Sequence, residues 1–82
     1  MKVEIYTKRG CDCCGKAERK LLAAAYDHDL TVTTRDITDD VDLMAKYGNQ
    51  VPVVFFDGKL RFKMQVNEVL LKKLLANVPA RV

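Results

Sequence analysis

The spacing of hydrophobic residues along this chain switches between an alternating and a helical period, and each switch marks an element. Val3 and Ile5 alternate with Lys2, Glu4 and Tyr6, which predicts a short strand over Lys2–Thr7. Gly10 then permits a tight turn. From residue 13 to 27 the period lengthens. Ala17, Leu21 and Ala25 recur every fourth residue and Leu22 widens the stripe, so this segment is predicted helical. Residues 30–37 are rich in Thr and Val and read as a second strand. A helix between two strands makes them parallel, in a right-handed βαβ unit.

The second half is punctuated differently. Thr38 or Asp39 is placed to cap a short helix reaching Tyr47, with Gly48 as its stop. Val51-Pro52 interrupts the chain. Val53-Val54-Phe55-Phe56 is then a strand, Asp57-Gly58 a hairpin turn, and Leu60-Arg61-Phe62-Lys63 the return strand. Strict alternation puts Leu60 and Phe62 on one face of it, with Arg61 and Lys63 on the other. Asn67 caps a last helix with Leu70, Leu71, Leu74, Leu75 and Val78 as its apolar face, and Pro79 ends it. The order β-α-β-α-β-β-α predicts one α/β domain over residues 1–82, a four-stranded mixed sheet with helices on both faces.

Composition narrows the function. With 82 residues, 49% hydrophobic and 30% charged, the chain is globular and not disordered. A domain this small buries roughly 60% of the surface its unfolded chain exposes. The net charge of +3 is spread along the chain, so nucleic acid is not an expected partner. Glu4 breaks the apolar run that a signal peptide needs, and no stretch reaches membrane-spanning length. The expectation is a monomer in the cytoplasm, without a membrane partner. In a reducing compartment three clustered cysteines are catalytic or metal-binding more often than structural, and an odd count fits no purely structural framework.

Those cysteines lie in Cys11-Asp12-Cys13-Cys14, after a strand and a Gly-containing turn and before a helix. Within a βαβ unit, C-x-x-C at that place reads as a redox motif. A helix N-terminus favours a thiolate, and Lys8, Arg9 and Lys16 add positive charge. Cys11 is the expected nucleophile. Cys14, one turn further on, is the expected resolving thiol. Cys13 reads as an exposed neighbour, with a second resolving thiol or a metal ligand as alternatives. A zinc site wants four ligands, and the remaining candidate, His28, lies at the far end of the first helix. No metal site is therefore expected within one chain. A metal or iron–sulfur module built on the same thiols is the second functional reading, and a redox-inactive interaction domain the third.

With the motif placed, the chain resembles the small glutaredoxins of the thioredoxin superfamily. Four pieces carry the resemblance: Val3-Glu4-Ile5-Tyr6-Thr7-Lys8, Gly10-Cys11-Asp12-Cys13-Cys14, Gln50-Val51-Pro52-Val53-Val54, and Asp57-Gly58 leading to the final amphipathic helix. It implies a thioredoxin-like fold and a thiol–disulfide oxidoreductase. Its partner would be a disulfide-containing protein or glutathione, with a reductase or glutathione as electron donor. Glutathione would be a co-substrate, and no tightly bound cofactor is implied. The resemblance also implies a cis Val51-Pro52 bond beside the redox cysteines, presenting the Val51 backbone to substrate. Lys8 would lie near a glutathione carboxylate, and the helix start at Asn67 could hold a second one. The chain departs from the family pattern in three ways. Asp12 and Cys13 stand where a proline and an aromatic residue are usual. The stretch Phe62-Lys63-Met64-Gln65-Val66-Asn67-Glu68 lacks the usual glycine pair. Cys13 is an added thiol.

Overall fold

A computed structural model describes residues 1–80. The last two residues of the expected domain, 81 and 82, lie outside the described residues. The elements are β1 (Lys2–Thr7), α1 (Asp12–Asp27), β2 (Thr31–Asp36), α2 (Val41–Tyr47), β3 (Val53–Phe56), β4 (Lys59–Lys63) and α3 (Glu68–Leu75). The strands form one sheet in the order β2-β1-β3-β4. β1 pairs in parallel with β2, from Lys2↔Thr31 to Thr7↔Asp36, as the intervening helix requires. β3 runs antiparallel to β1, with Ile5 opposite Val54 and Tyr6 opposite Val53.

The alternation of β1 and β3 divides the core into two. Val3, Ile5, Val54 and Phe56 face Ala17 and Leu21 of α1, and Leu71 of α3. The other face collects Cys14, Ile37, Val51 and Val53, with Tyr6, Phe55 and the α2 residues Leu43 and Met44 packed against them. Helices thus cover both faces. Leu21 is fully buried, so truncating it to Ala would cost about 2–5 kcal/mol. Cys14 is the one buried α1 residue among those described that belongs to the second cluster. The first turn of α1 therefore sits at the end of the sheet, where β1 delivers the chain.

Three local expectations are corrected. Val54 pairs with Phe62 but Phe55 pairs with Leu60, so Arg61 is an extra residue, a β-bulge in β4. The bulge reverses the alternation. Phe62 joins the first core at 4% exposure, whereas Leu60 follows Phe55 to the other face and is 41% exposed. The cap of α2 is Asp40, not Thr38 or Asp39. Its Oδ1 accepts from the Leu43 N–H at 3.0 Å, and Oδ2 accepts from Arg35 at 3.0 Å. Leu70 stands outside the α3 core face, which rests on Leu71 with Leu74 and Leu75 beside it. The Asp57-Gly58 turn is as predicted, with both residues at positive φ (50° and 85°), the signature of a type I′ hairpin.

Candidate redox site

Gly10, at φ 76°, turns the chain out of β1 and leaves Cys11 as the N-cap of α1 in an extended conformation. A serine or aspartate normally offers oxygen at this position. Here the Cys11 Sγ takes that place and accepts from the Cys14 backbone N–H at 3.1 Å. Cys11 and Cys14 are joined as a disulfide across a Cα–Cα separation of 5.3 Å, inside the range that disulfides occupy. Their exposure differs. Cys11 is half-buried, while Cys14 is 4% exposed and packs among Ile37, Val51 and Val53. Cys13 is a free, exposed thiol on the same turn. It lines a cavity of about 250 Å³ with Lys16, Lys20, Gln65 and Val66.

The turn carrying Cys11 is fastened to the segment after β2. The Arg9 N–H donates to Thr38 Oγ1 at 2.9 Å. Thr38 in turn donates through its N–H (2.9 Å) and hydroxyl (2.6 Å) to Asp36 Oδ1. These two bonds from Thr38, the hydroxyl first, hold the Asp36 carboxyl below its usual pKa, with a smaller contribution from the Arg9 charge. The Ile37 N–H donates to the Thr7 carbonyl at 2.8 Å and continues the β1–β2 ladder up to the turn. The Arg9–Asp39 ion pair at 2.9 Å is open to solvent and adds little.

Val51 forms the opposite wall. The Val51-Pro52 bond is cis, as the resemblance implied, and both residues are buried. The Met64 N–H is shared between the carbonyls of Gln50 (2.8 Å) and Pro52 (2.9 Å), which bracket Val51. Met64 adopts φ 70°, which few residues other than glycine do. Among the described residues, neither the N–H nor the C=O of Val51 is taken by a hydrogen bond. Val51 and both cysteines of the disulfide share one apolar cluster.

The other expected contacts have internal partners. Lys8 is half-buried and its Nζ donates to the Gly48 carbonyl at 2.7 Å. Asn67 caps α3, its Oδ1 accepting from Val69 (2.9 Å) and Leu70 (3.1 Å). The Asn67 side-chain NH2 makes no hydrogen bond among the described residues. His28 closes the far end of α1, its N–H donating to the Ala24 carbonyl at 3.0 Å. Among the described residues, no group of three or more Cys, His, Asp or Glu side chains is arranged to hold a metal ion. No helix of these residues is long and apolar enough to cross a membrane.

Two features had no forerunner in the sequence. One is the Lys8–Gly48 bond. The other is an aromatic trio of Tyr6, Phe55 and the α2 residue Tyr47, with ring centroids 5.1–6.0 Å apart. The trio lines a cavity of about 410 Å³ that holds no cysteine. Burial, followed by the hydrogen-bonded Glu4 carboxylate, pushes the Tyr6 phenol above its usual pKa.

A cysteine at the start of a helix, a buried partner one turn on and a cis-proline wall fit a redox role on a thioredoxin-like fold. The family model described as Glutaredoxin-like domain (DUF836) matches residues 2–76. The chain belongs to this glutaredoxin-like family of the thioredoxin superfamily. Among solved structures it is similar to the X-ray structure of the Northeast Structural Genomics target protein XcR50 from X. campestris. The two share 23% identity over 94% of this chain and 99% of that one, with a TM-score of 0.73. That likeness bears on the fold alone. None of the curated proteins matches the chain.

Proposed function

We propose that the protein is a thiol–disulfide oxidoreductase that reduces protein or glutathione mixed disulfides through Cys11 and Cys14. The Cys11 thiolate attacks one sulfur of a substrate disulfide, forming a mixed disulfide and releasing the other sulfur as a thiolate. The Cys14 thiolate then attacks Cys11 Sγ. This forms the intramolecular disulfide and releases the second substrate thiolate, so two electrons have passed to the substrate. A thiol donor, glutathione or a protein reductase, returns the pair to the dithiol.

The observation that carries this reading is the unequal placement of two sulfurs that already meet. Cys11 is reachable and receives the Cys14 N–H, whereas Cys14 is buried behind it. The first thiol can meet substrate and the second can meet only the first. The free N–H and C=O of Val51 supply a short strand edge for a substrate backbone, with the buried Pro52 holding that edge in place. The free amide of Asn67 offers a donor to a substrate carboxylate at the start of α3. The protein acts in the cytoplasm as a monomer, with no nucleic-acid or membrane partner and no tightly bound cofactor.

Alkylation of the reduced protein across pH tests the proposal. Cys11 should react with a midpoint below the free-thiol value of about 8.5, since the helix start and the Cys14 N–H favour its thiolate. A midpoint at or above that value removes the physical basis of the mechanism.

A further inference from the structure

We propose that Lys8 is a positioning residue: its ammonium ties the loop carrying Val51 to the turn carrying Cys11, and so sets the substrate edge against the nucleophile. The inference rests on the exchange reading above. It gives Lys8 a role other than contact with a ligand carboxylate.

Lys8 stands three residues before Cys11, and Gly48 three residues before Val51. The bond from Lys8 Nζ to the Gly48 carbonyl, at 2.7 Å, is the one hydrogen bond among the described residues between segment 8–11 and segment 47–52. It is chemically apt. Gly48 follows the last turn of α2, where carbonyls lack intrahelical partners and carry the negative end of the helix dipole. An ammonium satisfies such an oxygen better than a neutral donor does.

The receiving end is rigid, so the tie transmits position. Gly48 is buried, and its N–H donates to the Met44 carbonyl at 2.9 Å. A Cβ there would come within 2.5 Å of that same oxygen, so only glycine lets the chain pass this close. From Gly48 the path to Val51 is held by the Gln50 N–H, which donates to the Tyr47 carbonyl at 2.7 Å, and by the shared Met64 N–H. Lys8 anchors the loop from the cysteine side and Met64 anchors it from β4.

The test compares wild type and Lys8→Met with three disulfides. The first is bis(2-hydroxyethyl) disulfide, which has no peptide backbone. The second is a capped, uncharged cysteine-peptide disulfide, and the third is the same peptide with free carboxylates. The readout is kcat/KM for each peptide divided by that for the hydroxyethyl compound, which cancels any effect on Cys11 itself. A strut predicts that Lys8→Met lowers both ratios by a similar factor, roughly five- to tenfold, through KM and not kcat. A fall for the carboxylate peptide alone would make Lys8 a carboxylate reader, and no fall in either ratio would leave it without a role; each overturns the proposal. A second readout needs no turnover. Hydrogen exchange at the Gln50 amide should speed up in Lys8→Met, and an unchanged rate overturns the strut. Wild type inert toward all three disulfides would overturn the exchange mechanism, while hydrogen exchange would still decide the strut.

Discussion

The backbone N–H of Cys14 donates to the sulfur of Cys11 across 3.1 Å, so Cys11 caps the first turn of the helix that carries Cys14. One turn of α1 thus performs two tasks. It brings the sulfurs within bonding reach, and it places a peptide dipole against that of Cys11. Burial then distinguishes the two, because Cys14 lies among Ile37, Val51 and Val53 and Cys11 does not lie as deep.

Cys13 shares that turn without sharing those contacts. It is exposed and outside the disulfide. Cys13→Ser should change stability by less than about 0.5 kcal/mol and leave the rate with a model disulfide unaltered. A marked loss of exchange in this variant would assign Cys13 a chemical step.

Asp36 should make stability depend on pH in the acid range. Its carboxyl pKa is lowered in the folded state, through the hydroxyl and then the N–H of Thr38. A depressed folded pKa stabilises the fold at pH above the unfolded value, 3.8, and this contribution is lost as pH falls through the folded value. Compared with Asp36→Asn, wild type should hold a constant advantage in unfolding midpoint near neutrality. That advantage should shrink below about pH 4. Denaturant titrations of the two proteins across pH measure it, and a difference that grows in acid would contradict the assignment.

Asn67 separates a helix cap from a ligand contact. Asn67→Ala should cost about 1 kcal/mol, because two α3 N–H groups lose their acceptor. Asn67→Asp keeps the cap but replaces the free amide with a charge. It should preserve stability and raise KM for a disulfide bearing carboxylates. An unchanged KM would limit Asn67 to capping.

Much of this was legible in the chain because it depends on local pattern. Val3 and Ile5, the four-residue stripe of Ala17, Leu21 and Ala25, and Asp57-Gly58 each announce their element, and the order of elements fixes the strand directions. The features that escaped depend on context. The bulge at Arg61 leaves no trace in a sequence whose alternation looks regular. Thr38, Asp39 and Asp40 are all competent caps. Asp40 prevails where Thr38 is engaged by Asp36 and Arg9, and Asp39 pairs with Arg9. The cysteine pair was visible from spacing alone, and the Val51 wall through resemblance. The Lys8–Gly48 bond joins residues 40 positions apart, and nothing in either local sequence signals it.

The most direct test of the central claim is chemical trapping with a model peptide disulfide, read by intact mass. Cys14→Ser should accumulate a mixed disulfide between Cys11 and the peptide, while Cys11→Ser should form none and show no exchange. A Cys14→Ser protein that turns over like wild type, or a Cys11→Ser protein that still forms the adduct, would contradict the account.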